Sequence, residues 1–116
     1  MVAALVPPVS HAFDVIAEPN RRRILDLLRG DERPVGYLVE QLALSQPAVS
    51  KHLRVLRDAG LVEVRSDAQR RLYRVRTDPL RAVDDWLAPY RREWEERLDD
   101  LERELAAMPD DEQEPS

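Results

Sequence analysis

The segment from Ser45 to Gly60 constrains the fold most, because it encodes one amphipathic helix with clear ends. Ser45 is a helix-capping residue type, Pro47 is tolerated in a first turn, and Gly60 is a natural helix stop. Apolar residues with i, i+4, i+7 spacing predict one buried stripe, formed by Val49, Leu53 and Leu56. The opposite face carries only polar or basic residues, namely Gln46, Ser50, Lys51, Arg54 and Arg57. We therefore predict a helix over about 46–59 with one buried and one basic face.

Three short helices precede this segment and a strand pair follows it. Helical spacing of apolar residues predicts helices over about 10–17, 19–29 and 35–42. Residues 61–66 and 71–76 alternate apolar and charged side chains, which predicts a β-hairpin. This order matches a winged helix-turn-helix, so the expected fold is mainly α with a small β-hairpin.

The last helix is predicted to run over 79–108, with apolar residues every three or four positions. Steps of seven from Leu87 form a seam typical of coiled coils. We expect residues 1–9 to be a flexible N-terminal arm and residues 109–116 to be an acidic disordered tail. The winged helix-turn-helix domain, including the last helix, is then 10–108.

Charge is segregated along the chain, whose formal net charge is −5. Residues 45–76 hold eight basic and three acidic side chains, whereas residues 93–116 hold two basic and eleven acidic ones. The first segment therefore favours a polyanionic partner, although basic residues on a solvated face are the alternative.

Composition excludes several classes of site. With no Cys and only His11 and His52, disulfides and thiolate or imidazole-rich metal sites are not expected. No run of 18 apolar residues predicts a membrane span, and the N-terminus lacks the basic start of a signal peptide. No catalytic constellation or phosphate-binding glycine loop is present. We expect a cytoplasmic protein that is not an enzyme, with no cofactor, no metal and no membrane partner.

The basic helix face and the hairpin turn are the candidate DNA-binding surfaces. A helix of this kind enters the major groove N-terminal end first, where Gln pairs with adenine and Lys or Arg with guanine or phosphate. The alternative is a solvated helix, with Ser45 acting only as a cap, beside an exposed turn. The predicted DNA-binding residues are Ser45, Gln46, Pro47, Ser50, Lys51, Arg54, Arg57, Gln69, Arg70 and Arg71.

For several other residues, the sequence is compatible with two different roles. The cluster 21–23 has arginines that either meet phosphate or pair with a nearby acid. We expect His52 to be a hydrogen-bonded residue at a helix junction rather than a metal ligand. Trp86, Tyr90 and Trp94 either pack in an interface or line a small-molecule pocket. The acidic residues in 93–104 are expected to be solvated rather than to bind a hard cation.

Residues 44–62, LSQPAVSKHLRVLRDAGLV, resemble the ArsR/SmtB family of bacterial repressors, as do 18–25 and 69–75. The resemblance covers roughly 12–108 and implies a homodimer whose first and last helices pack together and which binds an inverted-repeat operator. The positions of the family's Cys-x-Cys pair hold Pro34 and Gly36, and the last helix has no His, so the chain resembles a non-metal-binding branch. The expected dimer-interface residues are Phe13, Leu87, Tyr90, Trp94, Leu98, Leu101 and Leu105.

The leading hypothesis is a homodimeric repressor that occludes a double-stranded DNA operator and is nucleoid-associated when bound. One alternative is a metal- or ligand-responsive activator on the same fold. Another is a winged-helix protein-interaction module that does not bind DNA. The sequence does not identify an effector.

Overall fold

The computed structural model describes residues 8–109, which form five helices and three strands. The helices are α1 (Pro8–Ile16), α2 (Pro19–Leu28), α3 (Val35–Leu42), α4 (Gln46–Asp58) and α5 (Asp78–Ala107). The strands are β1 (Arg33–Pro34), β2 (Val62–Asp67) and β3 (Arg70–Val75). The predicted arm and acidic tail lie outside the described residues, except for Pro8 and Val9, which begin α1, and Pro109. Mainly helical with a small antiparallel sheet, the fold is the one predicted.

The sheet has three strands in the order β1-β3-β2, all antiparallel. The predicted hairpin is confirmed, with a two-residue turn of Ala68 and Gln69 between β2 and β3. The sequence analysis missed β1, in which Arg33 lies opposite Tyr73 and Pro34 opposite Leu72. A strand of two residues is too short to show alternation, and its proline is tolerated because β1 is an edge strand.

The core is formed by residues from the four helices α1, α2, α3 and α4, together with the first residue of β2. The predicted stripe of α4 is confirmed, because Val49, Leu53 and Leu56 are at most 2% exposed. In α1 the buried residues are Ala12 and Val15, and the neighbouring Ile16 packs against the core while only partly buried. Apolar residues lie on more than one side of this short helix, and packing against α2 decides which side is buried.

The chain divides into two compact units, and the boundary lies between Asp85 and Trp86. In the first unit Leu80, near the start of α5, packs against the core. The whole of α5 contains no buried residue, although the helix continues past Pro89. Large apolar side chains are about half exposed along it: Trp86, Tyr90, Trp94, Leu98, Leu101, Leu105 and Met108. Among residues 8–109, none of the helices combines the length and apolar character needed to cross a membrane.

Candidate nucleic-acid interface

Local interactions fix the start of α4. The Ser45 Oγ accepts a hydrogen bond from the backbone N–H of Ala48 at 3.2 Å, as a helix N-cap does. Pro47 lies in the first turn, where its missing N–H removes no helical hydrogen bond. Ser45 therefore has a structural role, and its O–H remains available to donate.

The outer face of α4 is fully available to a partner. All its predicted contact residues are exposed: Gln46, Pro47, Ser50, Lys51, Arg54 and Arg57. Within residues 8–109, the cationic groups of Lys51, Arg54 and Arg57 form no ion pair or side-chain hydrogen bond. This face is thus a set of free hydrogen-bond donors on a helix anchored by its buried stripe.

The hairpin turn presents the other predicted residues. Gln69, Arg70 and Arg71 are all exposed. The Arg70 Nη2 lies 3.7 Å from the Asp67 Oδ2, a loose ion pair on the surface. The Arg71 guanidinium has no acidic partner in the described part of the chain.

Two open grooves lie between α4 and the hairpin. The guanidinium groove, of about 480 Å³, is lined by Ser50, Leu53, Arg54, Arg57, Asp58, Arg71 and Tyr73. The amide groove, of about 380 Å³, is lined by Pro34, Val35, Gln46, Ser50, Gln69, Arg70, Arg71 and Tyr73. Seven of the ten predicted DNA-binding residues line these grooves, whereas Ser45, Pro47 and Lys51 line neither.

Tyr73 lines both grooves, although it is not among the predicted DNA-binding residues. Alternation in β3 correctly places its ring towards the core, and the residue packs against the core while remaining half-buried. The available signal was its residue type, since tyrosine joins an apolar ring to a hydroxyl that commonly reaches a polar surface.

The remaining arginines in the sheet, and Arg76 directly after it, are paired with acids. The Arg65 Nε and Nη2 donate to the two carboxylate oxygens of Glu32 at 2.7 and 2.8 Å. This hydrogen bonding lowers the pKa of Glu32 and raises the pKa of Arg65. The Arg74 Nε donates to Glu63 at 2.5 Å, and the Arg76 Nη2 donates to Asp78 at 2.8 Å. These charges are therefore largely balanced within the fold.

The cluster 21–23 takes a role that the sequence analysis did not consider. The Arg21 Nε donates to the carbonyl of Val15 at 2.6 Å, and the Arg22 Nη1 donates to the carbonyl of Ile16 at 2.6 Å. Both bonds satisfy carbonyls that the end of α1 leaves without helical partners. The first two arginines thus join α1 to α2 through the backbone.

His52 lies at the junction of α4 with the start of α2, as expected. Its Nδ1 is 3.7 Å from the Glu18 Oε2, but this buried nitrogen has no hydrogen-bond partner within residues 8–109, so the expected hydrogen bond is absent there. Partial desolvation raises the pKa of Glu18, yet backbone N–H groups and the charges of His52 and Arg21 lower it overall. In the described residues, no group of three His, Cys, Asp or Glu is placed to hold a metal.

Comparison with known proteins settles the family. Residues 18–64 match the model of the bacterial regulatory protein arsR family. The chain is 32% identical over 79 residues to the transcriptional repressor SdpR of Bacillus subtilis, covering 68% of this chain and 88% of that protein. The chain belongs to the ArsR family.

Solved structures of ArsR-type regulators share the fold. Reduced HlyU from Vibrio cholerae is 34% identical, with a TM-score of 0.61 over 72% of this chain and 87% of that chain. An ArsR-like transcriptional regulator from Rhodococcus sp. RHA1 is 26% identical, with a TM-score of 0.64 over 87% and 95%. As a member of the ArsR family, this chain is a winged-helix, DNA-binding transcriptional regulator and not an enzyme.

Proposed function

We propose that the chain is a homodimeric repressor that occludes an inverted-repeat operator. The observation that supports it is the exposed outer face of α4, whose cations Lys51, Arg54 and Arg57 have no acidic partner within residues 8–109. Unpaired donors on a rigid helix suit the phosphates and base edges of DNA. Its site of action is then the cytoplasm, in association with the nucleoid.

The two ends of α4 have different tasks in this proposal. Gln46, at the N-terminal end, recognises a base edge in the major groove, most readily adenine through a bidentate pair. Arg54 reaches guanine or phosphate from the middle of the same face. Arg57 and Arg71, on opposite sides of the guanidinium groove, hold phosphates of the backbone.

A second copy of the chain covers the seam on α5. Leu98, Leu101 and Leu105 are 50–58% exposed although each is a large apolar side chain. Trp86 and Tyr90 add a ring contact, with centroids 4.9 Å apart. The proposed dimer residues are Phe13, Leu87, Tyr90, Trp94, Leu98, Leu101 and Leu105. A two-fold dimer presents two α4 helices to half-sites spaced by about one turn of DNA, roughly 34 Å.

Repression is the simplest regulatory outcome of this arrangement, because occlusion requires only that DNA be bound. SdpR is named a repressor, whereas HlyU of Vibrio cholerae is named a transcriptional activator. A reporter gene placed behind the bound fragment decides the sign. Expression that falls when the chain is present supports repression, and expression that rises contradicts it.

Fluorescence anisotropy with a labelled duplex from upstream of the chain's own gene tests the DNA-binding part. We expect two chains per duplex, preference over an unrelated duplex of equal length, and steep weakening as salt increases. Absence of binding even at low salt would contradict the proposal and favour a protein-interaction module.

Sedimentation equilibrium tests the dimer. Leu98→Glu places a charge in the middle of the exposed seam, so we expect it to shift the chain towards monomer. Ala106→Glu adds the same charge at an exposed position away from the seam and should leave a dimer. Equal effects of the two substitutions would place the dimer contact elsewhere.

A further inference from the structure

Tyr73, in the middle of the hairpin ladder, lines both grooves. In β3 it lies opposite Val64 of β2 and Arg33 of β1, so the sheet fixes its backbone on both sides. Its side chain packs against the core yet lines both the guanidinium groove and the amide groove. Among the predicted DNA-binding residues, Ser50 and Arg71 also line both. Tyr73 therefore lies where the surfaces of α4 and the hairpin meet.

The hydroxyl of Tyr73 is an unused polar group. It has no hydrogen-bond partner within residues 8–109. In the same residues, the side-chain polar atoms that are both fully buried and without a partner are the Arg33 Nε and the His52 Nδ1, so the Tyr73 hydroxyl is not fully buried. The hydroxyl is therefore reachable by solvent. A phenol in this state can donate a hydrogen bond without breaking one inside the protein.

The two grooves differ in chemistry. The guanidinium groove brings together the guanidinium groups of Arg54, Arg57 and Arg71 with the hydroxyl of Ser50, against the single carboxylate of Asp58. Such an excess of donors suits a phosphate, which offers only acceptors.

The amide groove has the guanidinium groups of Arg70 and Arg71 and adds the side-chain amides of Gln46 and Gln69, which the guanidinium groove lacks. An amide both donates and accepts, as a base edge does. The phosphate and base-edge surfaces thus lie side by side, and Tyr73 belongs to both.

We propose that the Tyr73 hydroxyl donates a hydrogen bond to a DNA backbone phosphate seated in the guanidinium groove. The ring, held by the core and by two neighbouring strands, fixes that donor relative to α4. The proposal rests on the proposed DNA-binding function and adds a neutral contact to its cationic ones. Tyr73 thereby positions the backbone without selecting the base sequence.

The test is Tyr73→Phe, which removes the hydroxyl and keeps the ring. We expect affinity to fall about five-fold, and equally for the upstream and unrelated duplexes. The slope of log affinity against log salt should stay as in the wild type, because a neutral donor displaces no counterion. The melting temperature should also stay unchanged, because the hydroxyl has no partner within the described fold.

Tyr37→Phe is the matched control. Tyr37 is also half-buried, and the Arg33 Cζ lies 4.5 Å from the centroid of the Tyr37 ring. Tyr37 lines neither groove. We expect this variant to bind DNA as the wild type does.

Three results would overturn the proposal, and they are distinguishable. Wild-type affinity in Tyr73→Phe, while Arg54→Ala weakens binding, would refute the hydroxyl contact and leave the proposed function standing. A loss confined to the upstream duplex would assign Tyr73 to base recognition instead. Absence of wild-type binding at low salt would refute the proposed function together with this contact.

Discussion

Cations in the basic segment 45–76 fall into two groups that look alike in sequence and differ in the folded chain. On α4 and at Arg71, the positive groups have no acidic partner within residues 8–109. In the sheet or directly after it, Arg65, Arg74 and Arg76 are bonded to carboxylates, and Arg70 has a loose ion pair with Asp67. The comparison teaches that the charge a polyanion meets is smaller than the net charge of the segment, and that it is concentrated on one helix and one turn.

Backbone geometry explains the difference. In the antiparallel register Glu63 lies directly opposite Arg74, so the strands bring acid and base together across the ladder. Glu32 reaches Arg65 from a position 33 residues earlier in the chain. Across the two grooves from α4 the hairpin contributes Gln69, Arg70, Arg71 and Tyr73, so within residues 8–109 no other element supplies a carboxylate to this face.

The largest expected difference in DNA affinity is between substitution of Arg54 and substitution of Arg74. Arg54→Ala should lower affinity for the upstream duplex about ten- to hundred-fold, because a free guanidinium on α4 loses its contact with base or phosphate. Arg74→Ala should change affinity much less, because this arginine is bonded to Glu63. Anisotropy titrations at one salt concentration measure both. Equal losses of affinity would show that an arginine paired with an acid in the sheet contributes to DNA binding as much as an unpaired one.

A smaller effect distinguishes the two neighbours at the turn. Arg71→Ala should lower affinity for all duplexes and reduce the salt slope by about 1, the signature of one lost phosphate contact. Arg70→Ala should reduce the slope less, because Arg70 already lies 3.7 Å from Asp67. Salt titrations of both variants make the comparison. A larger change for Arg70 would reverse the assignment of free and paired residues at this turn.

The smallest expected effect concerns the ion pair of Glu32 and Arg65. Hydrogen bonding to Arg65 lowers the pKa of Glu32 below its ordinary value of 4.5. The ionised pair therefore stabilises the fold above that pH, and its contribution is lost as the pH falls through the lowered pKa. We expect Glu32→Gln to melt at a lower temperature than the wild type at pH 7, with a difference that narrows below pH 4.5.

Thermal melts across this pH range measure the difference. A constant gap between wild type and Glu32→Gln would show that the pair does not link stability to pH. DNA affinity at pH 7 should be the same for both, since neither Glu32 nor the Arg65 that the substitution releases lines the guanidinium groove or the amide groove.

Much of the fold follows from local signals in the sequence. The cap at Ser45, the apolar stripe of α4 and the alternation of β2 and β3 each act within a few residues, and each prediction is confirmed. The face of α1 and the strand β1 depend on contacts with distant segments, so local spacing did not determine them.

The candidate site shows the same division. The exposed face of α4 was predictable because burial of one helical stripe exposes the other. The roles of Arg21 and Arg22 were not, because their acceptors are backbone carbonyls at the end of another helix. Tyr73 was missed for a related reason, since alternation gives the direction of a side chain but not the groove beside it.

The helix α5, which contains no buried residue, has a consequence for gene control. In the proposed dimer, a second copy of the chain covers this seam, so the assembled fraction would depend on how many copies a cell holds. While single chains outnumber pairs, operator occupancy grows with the square of that copy number. A regulator that assembles in this way would respond more than proportionally to its own abundance.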